Sequence, residues 1–233
     1  MALEARQMAK SPSRSNRNAL INIFLIVFID LMGFGIIIPI LPYFAQEYGA
    51  SGWAIGWLMS VYSIMQFFFA PVWGTISDRY GRRPVLVWSI LGTSGALIFL
   101  GFADSLALIF LGRILAGLFG ANISTAYAYV TDITDEKNRA KGMGLVGAAF
   151  GLGFIFGPAI GGVLSQYGYH VPMFAGAGLA MFNFVFALAT LKEPKLTRTQ
   201  RSAHRARRFD KKNLMRVLGN PKTAMPILLN FIS

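Results

Sequence analysis

Six long apolar stretches divide this sequence, and each is long enough to cross the hydrocarbon core of a lipid bilayer. A helix needs about 20 apolar residues to cross that core, which is about 30 Å thick. The stretches of this length are residues 19–43, 53–76, 84–102, 106–130, 142–164 and 171–191. Only 14% of the residues are charged, whereas a soluble domain has about 25%. The sequence therefore predicts an all-α membrane protein with a bundle of six transmembrane helices, which we call spans one to six.

The positions of the basic residues predict how these spans are oriented. Lys and Arg occur in the tail at 1–18, between spans two and three, between spans four and five, and after residue 191. The three other connections, around residues 45–52, 103–105 and 165–170, contain none. Because cytoplasmic connections carry the excess of Lys and Arg, we expect a cytoplasmic amino terminus. The expected location is the inner membrane of a bacterium.

The region after span six predicts a linker and the start of a further helix. Residues 192–222 hold eleven Lys or Arg against two acidic residues, which favours contact with anionic lipid rather than with nucleic acid. Within this linker, residues 208–221 predict a short amphipathic helix on the membrane surface. The apolar residues 223–233 predict the start of a seventh transmembrane helix. We therefore expect the amino-terminal half of a twelve-helix protein that is monomeric when full length; a natural half-size protein that dimerises is the alternative.

Several kinds of chemistry are not indicated by this sequence. The chain contains no cysteine, which excludes disulfides, thiolate metal sites and cysteine nucleophiles. It shows no metal-ligand cluster, no nucleophile–base set and no phosphate-binding loop. The sequence therefore predicts no enzyme activity, no metal site and no other cofactor.

Two ionisable residues, Asp30 in span one and Arg113 in span four, lie well within the apolar stretches. Inserting a charged side chain at the centre of a transmembrane helix costs about 3 kcal/mol, so such residues usually face the interior of a helix bundle or a water-filled cavity. Asp30 lies about 16 Å from the cytoplasmic end and Arg113 about 10 Å from the outer end, so their depths differ by about 4 Å. We expect them to meet. One interpretation is a structural ion pair; the other is that Asp30 carries a proton and Arg113 tunes this exchange.

Polar and aromatic side chains in the spans are candidates for a substrate cavity. Helical periodicity places Phe34 on the same face as Asp30, and Ser124 on the same face as Arg113. The full set of candidates is Phe34, Tyr62, Gln66, Ser124 and Asn183. Asn122 lies about 180° from Arg113 on an ideal helix, so we expect it to make an interhelical hydrogen bond instead.

The connection between spans two and three carries the motif GTISDRYGRRP at residues 74–84. Two glycines in it permit a close approach and a tight turn. Asp78 can pair with Arg82, and Asp132 at the end of span four can join them as a second carboxylate. The candidate gating residues are Gly74, Asp78, Arg79, Gly81, Arg82, Arg83 and Asp132. The alternative is a solvated turn in which each exposed charge matters little.

Span five contains GLGFIFGPAIGG at residues 151–162, an apolar segment rich in the two residues that weaken helices most. Gly147, Gly151, Pro158 and Gly161 predict one smooth seam, and Gly153 and Gly157 predict another. Such seams let neighbouring backbones approach and slide. Pro158 removes one helical hydrogen bond and is expected to bend the helix. The candidate hinge residues are Gly147, Gly151, Gly153, Gly157, Pro158, Gly161 and Gly162; ordinary tight packing is the alternative.

Taken together, these motifs resemble the drug:proton antiporter branch of the major facilitator superfamily, of the tetracycline-efflux type. DLMGFGIIIPILP at 30–42, the motif at 74–84, RILAGLFGA at 113–121 and the motif at 151–162 follow the order of that family and cover spans one to five. The resemblance implies that the 74–83 connection and Asp132 latch the two halves of a transporter in its outward-facing state. It also implies that the span-five motif distinguishes antiporters from symporters.

The residues and the resemblance together predict a proton-coupled efflux antiporter that exports a small amphipathic or drug-like compound by alternating access. Its expected partners are membrane lipid, the small-molecule substrate, protons and a carboxy-terminal six-helix half, but not nucleic acid. Two other functions stay open at this point. One is a facilitator or symporter with a structural Asp30–Arg113 pair, and the other is a half-size membrane scaffold without a transport cycle.

Overall fold

The computed structural model describes residues 14–120 and 122–194, and the regular structure within them is helical throughout. The helices are α1 Arg14–Ile37, α2 Leu41–Glu47, α3 Gly52–Tyr80, α4 Arg82–Gly101, α5 Leu106–Gly120, α6 Ile123–Ile133, α7 Glu136–Leu164 and α8 His170–Thr190, with a 3₁₀ turn at Ser165–Tyr167. Most of the tail at 1–18, the linker at 192–222 beyond residue 194, the amphipathic helix at 208–221 and the seventh helix at 223–233 lie outside the described residues.

Six segments of the described chain are long and apolar enough to cross a membrane, which confirms the six predicted spans. In order, they are Arg17–Glu47, Gly52–Tyr80, Arg82–Gly101, Leu106–Ile133, Glu136–Tyr167 and His170–Thr190. Spans two and five extend further on the predicted cytoplasmic side than the apolar stretches alone suggested. Their polar ends there, which carry several charged residues, continue the same helices.

Spans one and four each consist of two helices, whereas the sequence analysis treated each as one continuous stretch. In span one, turns at residues 38–40 separate α1 from α2. Pro39 explains this interruption, because it has no N–H to donate and its ring clashes with the preceding turn of a helix. Pro42 then falls in the first turn of α2, where a proline costs no helical hydrogen bond. In span four, α5 ends at Gly120 and α6 begins at Ile123.

The spans pack in a defined order of neighbours. Span one packs against spans five and six, span three packs against spans four and six, and span two packs against span four. Smaller contacts join span one to span four and span two to span three, so these spans and span six surround a common interior. Spans five and two are the least buried, with 22% and 11% of their apolar windows buried, against 50% for span one.

The buried apolar side chains form two large clusters and one small one. One large cluster contains the first half of span one and the last residues of span six, including Ile26 and Leu191. The other contains the second half of span one and the first residues of span six, including Phe44 and Met173. The small cluster is built on Tyr62, Ala96 and Ala116, and the few polar residues of the interior, considered next, lie beside it.

Candidate functional site

A small cavity lies at mid-depth in the bundle, between the two apolar clusters. It is bordered by spans one, two, three, four and six, through Ile29, Asp30, Gly33, Phe34, Ile37, Tyr62, Thr93, Leu97, Arg113, Ala116, Gly120 and Ala180. Its volume of about 30 Å³ can hold about one or two water molecules. A drug-sized ligand needs about 300 Å³ or more, so this cavity is too small to be a substrate chamber; its lining is mostly apolar, with Asp30, Tyr62, Thr93 and Arg113 as its polar side chains.

Asp30 and Arg113 both line this cavity, as their similar depths predicted. No ion pair joins them in the part of the chain that the structure describes, so the direct contact that was expected is not formed. The Arg113 guanidinium instead lies over the ring of Tyr62, 4.3 Å from its centroid, and 6.0 Å from that of Phe34. These two rings stack with 4.8 Å between their centroids. Arg113 is only 2% exposed, and such desolvation strengthens a cation–π interaction.

The span-four residue Asn122 faces the Asp30 carboxyl group. Asn122 occupies the position before the first turn of α6, yet its side chain makes no capping bond to that helix. The interhelical hydrogen bond expected of Asn122 stays a prediction, and Asp30 is the candidate partner. The sequence analysis did not connect the two residues, because an ideal helix places Asn122 opposite Arg113.

Two side chains of span two bind the end of α5. Gln66 Nε2 donates to the Gly120 carbonyl at 2.9 Å and to the Tyr62 hydroxyl at 3.0 Å. Trp73 Nε1 donates to the Leu118 carbonyl at 2.6 Å. The last carbonyls of a helix have no partner within the helix, so these donors satisfy groups that the interruption of span four leaves free. The sequence analysis did not identify Trp73, although an indole N–H inside an apolar stretch usually needs an acceptor.

The five predicted substrate-cavity residues do not all reach one place. Phe34 and Tyr62 line the small cavity, and Gln66 lies beside it in contact with Tyr62. Asn183 is fully buried and donates to a main-chain carbonyl of span one at 2.9 Å, so it joins spans one and six. Ser124 is half-buried and is not among the residues that border the cavity. Contact of these side chains with a substrate stays a prediction.

At the predicted cytoplasmic end, Arg82 is the centre of a buried polar cluster. Its guanidinium pairs with Asp78 Oδ1 at 2.5 Å and with Asp132 Oδ2 at 3.0 Å, and it donates to Ser77 Oγ at 2.6 Å. Arg82 is 6% exposed. The predicted contacts of Arg82 with both carboxylates are therefore confirmed, and the burial of this arginine favours an ordered cluster over a solvated turn.

The carboxylate of Glu193, just after span six, binds the start of α4. Its two oxygens accept hydrogen bonds from the main-chain N–H groups of Arg82 at 2.7 Å and Arg83 at 2.9 Å. Arg83 Nη2 in turn donates to the carbonyl of Leu188 at 2.8 Å. Free N–H groups and the helix dipole make a helix start a favourable place for a carboxylate. The sequence analysis counted Glu193 only as a charge of the linker and missed this role.

The two glycines of the loop motif differ in their surroundings. Gly81 has φ +107°, a conformation that favours glycine, and a Cβ there would lie 2.7 Å from the Glu193 carboxylate. The tight turn predicted at Gly81 is therefore confirmed. Gly74 lies within α3 and would place a Cβ in open space. The close approach predicted at Gly74 is wrong for the described part of the chain.

Arg79, another candidate gating residue, is exposed. Its guanidinium carbon lies 5.4 Å from the centroid of the adjacent Tyr80 ring.

Glycines of span five make its close contact with span one. A Cβ at Gly157 would lie 2.7 Å from Gly35 Cα, and a Cβ at Gly153 would lie 2.8 Å from Leu31 Cβ. A Cβ at Gly161 would overlap the Ile36 carbonyl oxygen. Gly161 therefore belongs with Gly153 and Gly157, and the prediction that grouped it with Gly147 and Gly151 was wrong. Small residues allow this approach because no side chain separates the two backbones.

Three of the predicted hinge glycines of span five make no close contact with span one. A Cβ at Gly147, Gly151 or Gly162 would meet nothing within 4 Å among the described residues. The helix α7 continues as one element through Pro158, so this proline does not end it. The bending and the hinge motion assigned to these residues stay predictions.

These observations define a polytopic helical membrane protein whose apolar bundle encloses a polar layer at mid-depth. A buried arginine and a carboxyl group in one interior cavity are typical of membrane proteins that conduct or carry solutes. The chain belongs to the Major Facilitator Superfamily, which its sequence matches over residues 23–233.

Curated relatives include tetracycline and multidrug resistance proteins of bacteria. The chain is 40% identical over 176 residues to the class B tetracycline resistance protein of Escherichia coli, covering 74% of this chain and 44% of that protein. It is 34% identical over 170 residues to multidrug resistance protein 1 of Bacillus subtilis (strain 168), covering 72% and 44%. The chain thus spans about half the length of the curated relatives it matches.

A solved structure shows the same fold. The crystal structure of the human organic anion transporter MFSD10 (TETRAN) matches with a TM-score of 0.70 and 26% sequence identity. The match covers 82% of this chain and 50% of the human protein. Sequence and fold therefore both place the six spans within this superfamily of transporters.

Proposed function

We propose that this chain is the amino-terminal half of a proton-coupled efflux antiporter. The protein would export a small amphipathic or drug-like compound across the bacterial inner membrane in exchange for protons, with its amino terminus in the cytoplasm. Alternating access between two six-helix halves would carry out the exchange. The similarity to tetracycline and multidrug resistance proteins supports a drug-like substrate.

The observation that carries this proposal is the environment of Asp30. Its carboxyl group borders a cavity that Arg113 also borders, it forms no ion pair among the described residues, and the side chain of Asn122 faces it. A carboxyl group that is neither locked in an ion pair nor exposed to lipid can change its protonation state when the bundle rearranges. Asp30 would therefore carry the proton, and Arg113 would tune its charge state.

The structural-pair alternative receives less support. A facilitator or symporter with a fixed Asp30–Arg113 ion pair requires those two side chains to be in contact. Among the described residues Arg113 binds the faces of Tyr62 and Phe34 instead. Its charge is thus stabilised without Asp30, which leaves the carboxyl group free for exchange.

The cytoplasmic cluster and span five supply the parts of a gate and a hinge in this proposal. The gate consists of Asp78, Arg82 and Asp132 with the neighbouring turn, and the carboxy-terminal half would complete it. The exposed glycines Gly147 and Gly151 on span five give a smooth surface on which helices of that half can pack. Spans two and five have the smallest buried fractions of their apolar windows, so they offer exposed apolar surface for such a contact.

The test is transport by full-length protein in proteoliposomes, with a panel of compounds that includes tetracycline and an imposed pH gradient. We expect the Asp30→Asn variant to lose gradient-driven net transport, because an amide cannot exchange a proton. Asp104→Asn is the matched control, since Asp104 is an exposed carboxylate in the connection between spans three and four. It should transport like the wild type.

Each alternative predicts a different result in the same experiment. A wild-type transport rate that does not depend on the pH gradient would favour a facilitator. An Asp30→Asn variant with an unchanged pH response would remove Asp30 from the mechanism. A wild-type protein that moves no compound of the panel under any gradient would favour the scaffold.

A further inference from the structure

Tyr62 on span two lies against one face of α5, the first helix of span four. The Arg113 guanidinium carbon lies 4.3 Å from the centroid of the Tyr62 ring. Tyr62 is 8% exposed and Arg113 is 2% exposed, so water solvates neither side of this contact. Gly117 and Gly120 follow Arg113 by four and seven positions, and residues at this spacing share one face of a helix. Each of the three residues contacts Tyr62.

The two glycines leave the room that Tyr62 occupies. A Cβ at Gly117 would lie 2.7 Å from the Tyr62 carbonyl oxygen, and a Cβ at Gly120 would lie 2.6 Å from the Tyr62 hydroxyl oxygen. Non-bonded heavy atoms prefer about 3.5–4.0 Å, so a side chain at either position would push Tyr62 away. The small residues of the motif at 113–121 thus seat this tyrosine next to the arginine.

The hydroxyl end of Tyr62 is fixed by Gln66. Gln66 Nε2 donates to the Tyr62 hydroxyl at 3.0 Å and to the Gly120 carbonyl at 2.9 Å. A side-chain amide nitrogen carries two hydrogens, and these two acceptors use both of them. The backbone of Tyr62 is thus packed at Gly117 and its hydroxyl group is held at Gly120, which fixes the plane of the ring between them.

A buried guanidinium needs a compensating group, because it stays protonated inside a protein. Two such groups border the same cavity as Arg113, namely the ring of Tyr62 and the carboxyl group of Asp30. In the described part of the chain, Arg113 contacts the ring and forms no ion pair with Asp30. A desolvated cation–π contact can shift an equilibrium by about thirtyfold. The ring is therefore able to compete with the carboxyl group for the same cation.

We propose that Tyr62 is a positioning residue, whose ring holds the Arg113 guanidinium away from the Asp30 carboxyl group. Asp30 is thereby kept out of an ion pair that would hold it in its charged form. Without the ring, Arg113 turns to Asp30 and opposes its protonation. The role of Tyr62 in proton exchange rests on the proposed function, whereas its effect on the position of Arg113 does not.

The other groups around the cavity do not take over this role. Among the residues that border it, Asp30, Tyr62 and Arg113 are the titratable ones, and spans three and six contribute uncharged side chains. The Phe34 ring centroid lies 6.0 Å from the guanidinium carbon, which is the outer limit of about 6 Å for a cation–π contact. Phe34 stacks on Tyr62 with 4.8 Å between the ring centroids, so it supports the Tyr62 ring and does not replace it.

The first experiment locates the guanidinium. A high-resolution structure of the full-length protein in this conformation should show Arg113 over the ring in the wild type and in Tyr62→Phe, which keeps the ring. In Tyr62→Leu, which removes it, Arg113 should lie within hydrogen-bonding distance of Asp30. Tyr62→Met replaces the leucine variant if that variant does not fold, because methionine fills irregular gaps. An Arg113 that keeps its position without the ring, or that pairs with Asp30 in the wild type, would overturn the proposal.

The second experiment measures transport in proteoliposomes. Tyr62→Leu should slow transport driven by a pH gradient about tenfold to thirtyfold, and Tyr62→Phe should restore most of the rate. Substrate exchange without net proton movement should change far less than gradient-driven transport. Phe44→Leu is the matched control, because it removes a fully buried ring of span one that does not border the cavity.

The outcomes separate the two proposals. Equal gradient-driven rates for Tyr62→Leu and the wild type would refute the role of Tyr62, and so would an equal loss in Tyr62→Phe. A loss in Tyr62→Leu that is the same for substrate exchange, or the same in Phe44→Leu, would show a substrate contact or a packing effect instead. If the wild type shows no gradient-driven transport, the proposed function fails, the role of Tyr62 in proton exchange fails with it, and the structures alone decide on the position of Arg113.

Discussion

Replacing Gly157 by alanine tests whether the backbone contact between spans one and five determines the stability of the bundle. A Cβ at this position would lie 2.7 Å from Gly35 Cα and 2.8 Å from the Met32 carbonyl oxygen. Non-bonded carbon atoms prefer about 3.5–4.0 Å. Because both neighbours are backbone atoms and cannot rotate away, the two spans must separate locally by about 0.8 Å.

The expected cost follows from this displacement. Overpacking of a close contact destabilises a protein by about 1–3 kcal/mol. For a domain of this size, each kcal/mol lowers Tm by about 2–4 °C, so the expected decrease is about 2–12 °C. The assay is thermal unfolding of the purified full-length protein in detergent, followed by intrinsic fluorescence.

Gly144→Ala is the matched control, because it makes the same change in the same helix at a position where a Cβ would meet nothing within 4 Å among the described residues. Alanine favours a helix over glycine by up to about 1 kcal/mol, so Tm should stay unchanged or rise slightly. Equal Tm values for the two variants would refute the reasoning, since they would show that spans one and five are not in close contact at Gly157.

Three further predictions concern Arg82 and the groups that contact it, and all are measured as changes in Tm. Asp132→Asn should destabilise by about 3 kcal/mol, because the Asp132 side chain is 5% exposed and its loss leaves a buried cation less compensated. Asp78→Asn should cost less than about 1 kcal/mol, because the Asp78 side chain is 41% exposed; the reverse order would contradict this account. Glu193→Gln should cost about 1 kcal/mol, because an amide group has only one oxygen for the two N–H groups at the start of α4. An unchanged Tm in high and low salt would show that Glu193 does not stabilise that helix.

The number and the approximate limits of the spans were predictable from the sequence, because they depend on the length of apolar runs and not on tertiary contacts. The pairing of Arg82 with Asp78 was predictable for a similar reason, since four positions of separation across the turn at Gly81 keep the two charges at the same end of the bundle. Asp132 is distant in sequence, but its place at the end of span four put it on the same side of the membrane as Arg82.

The details of the polar layer could not be predicted in this way. Helical phase was extrapolated along span four as if it were one helix, whereas Asn122 lies just before the start of a second helix at Ile123. Arg113 contacts the ring of Tyr62 and not the carboxyl group of Asp30. Which of the two groups it contacts depends on how three spans pack together. The grouping of Gly161 with Gly153 and Gly157 likewise depends on where span one crosses span five, which no local pattern contains.

The hydrogen bond between Trp73 and the Leu118 carbonyl also makes the bundle observable by optical spectroscopy. The protein has four tryptophans, and the other three, Trp53, Trp57 and Trp88, have exposed rings that lipids with brominated chains can quench. The emission that persists would come mainly from Trp73, whose indole senses the position of the end of α5. Movement of span four relative to span two would therefore shift the wavelength of that emission in the native protein, without any attached dye.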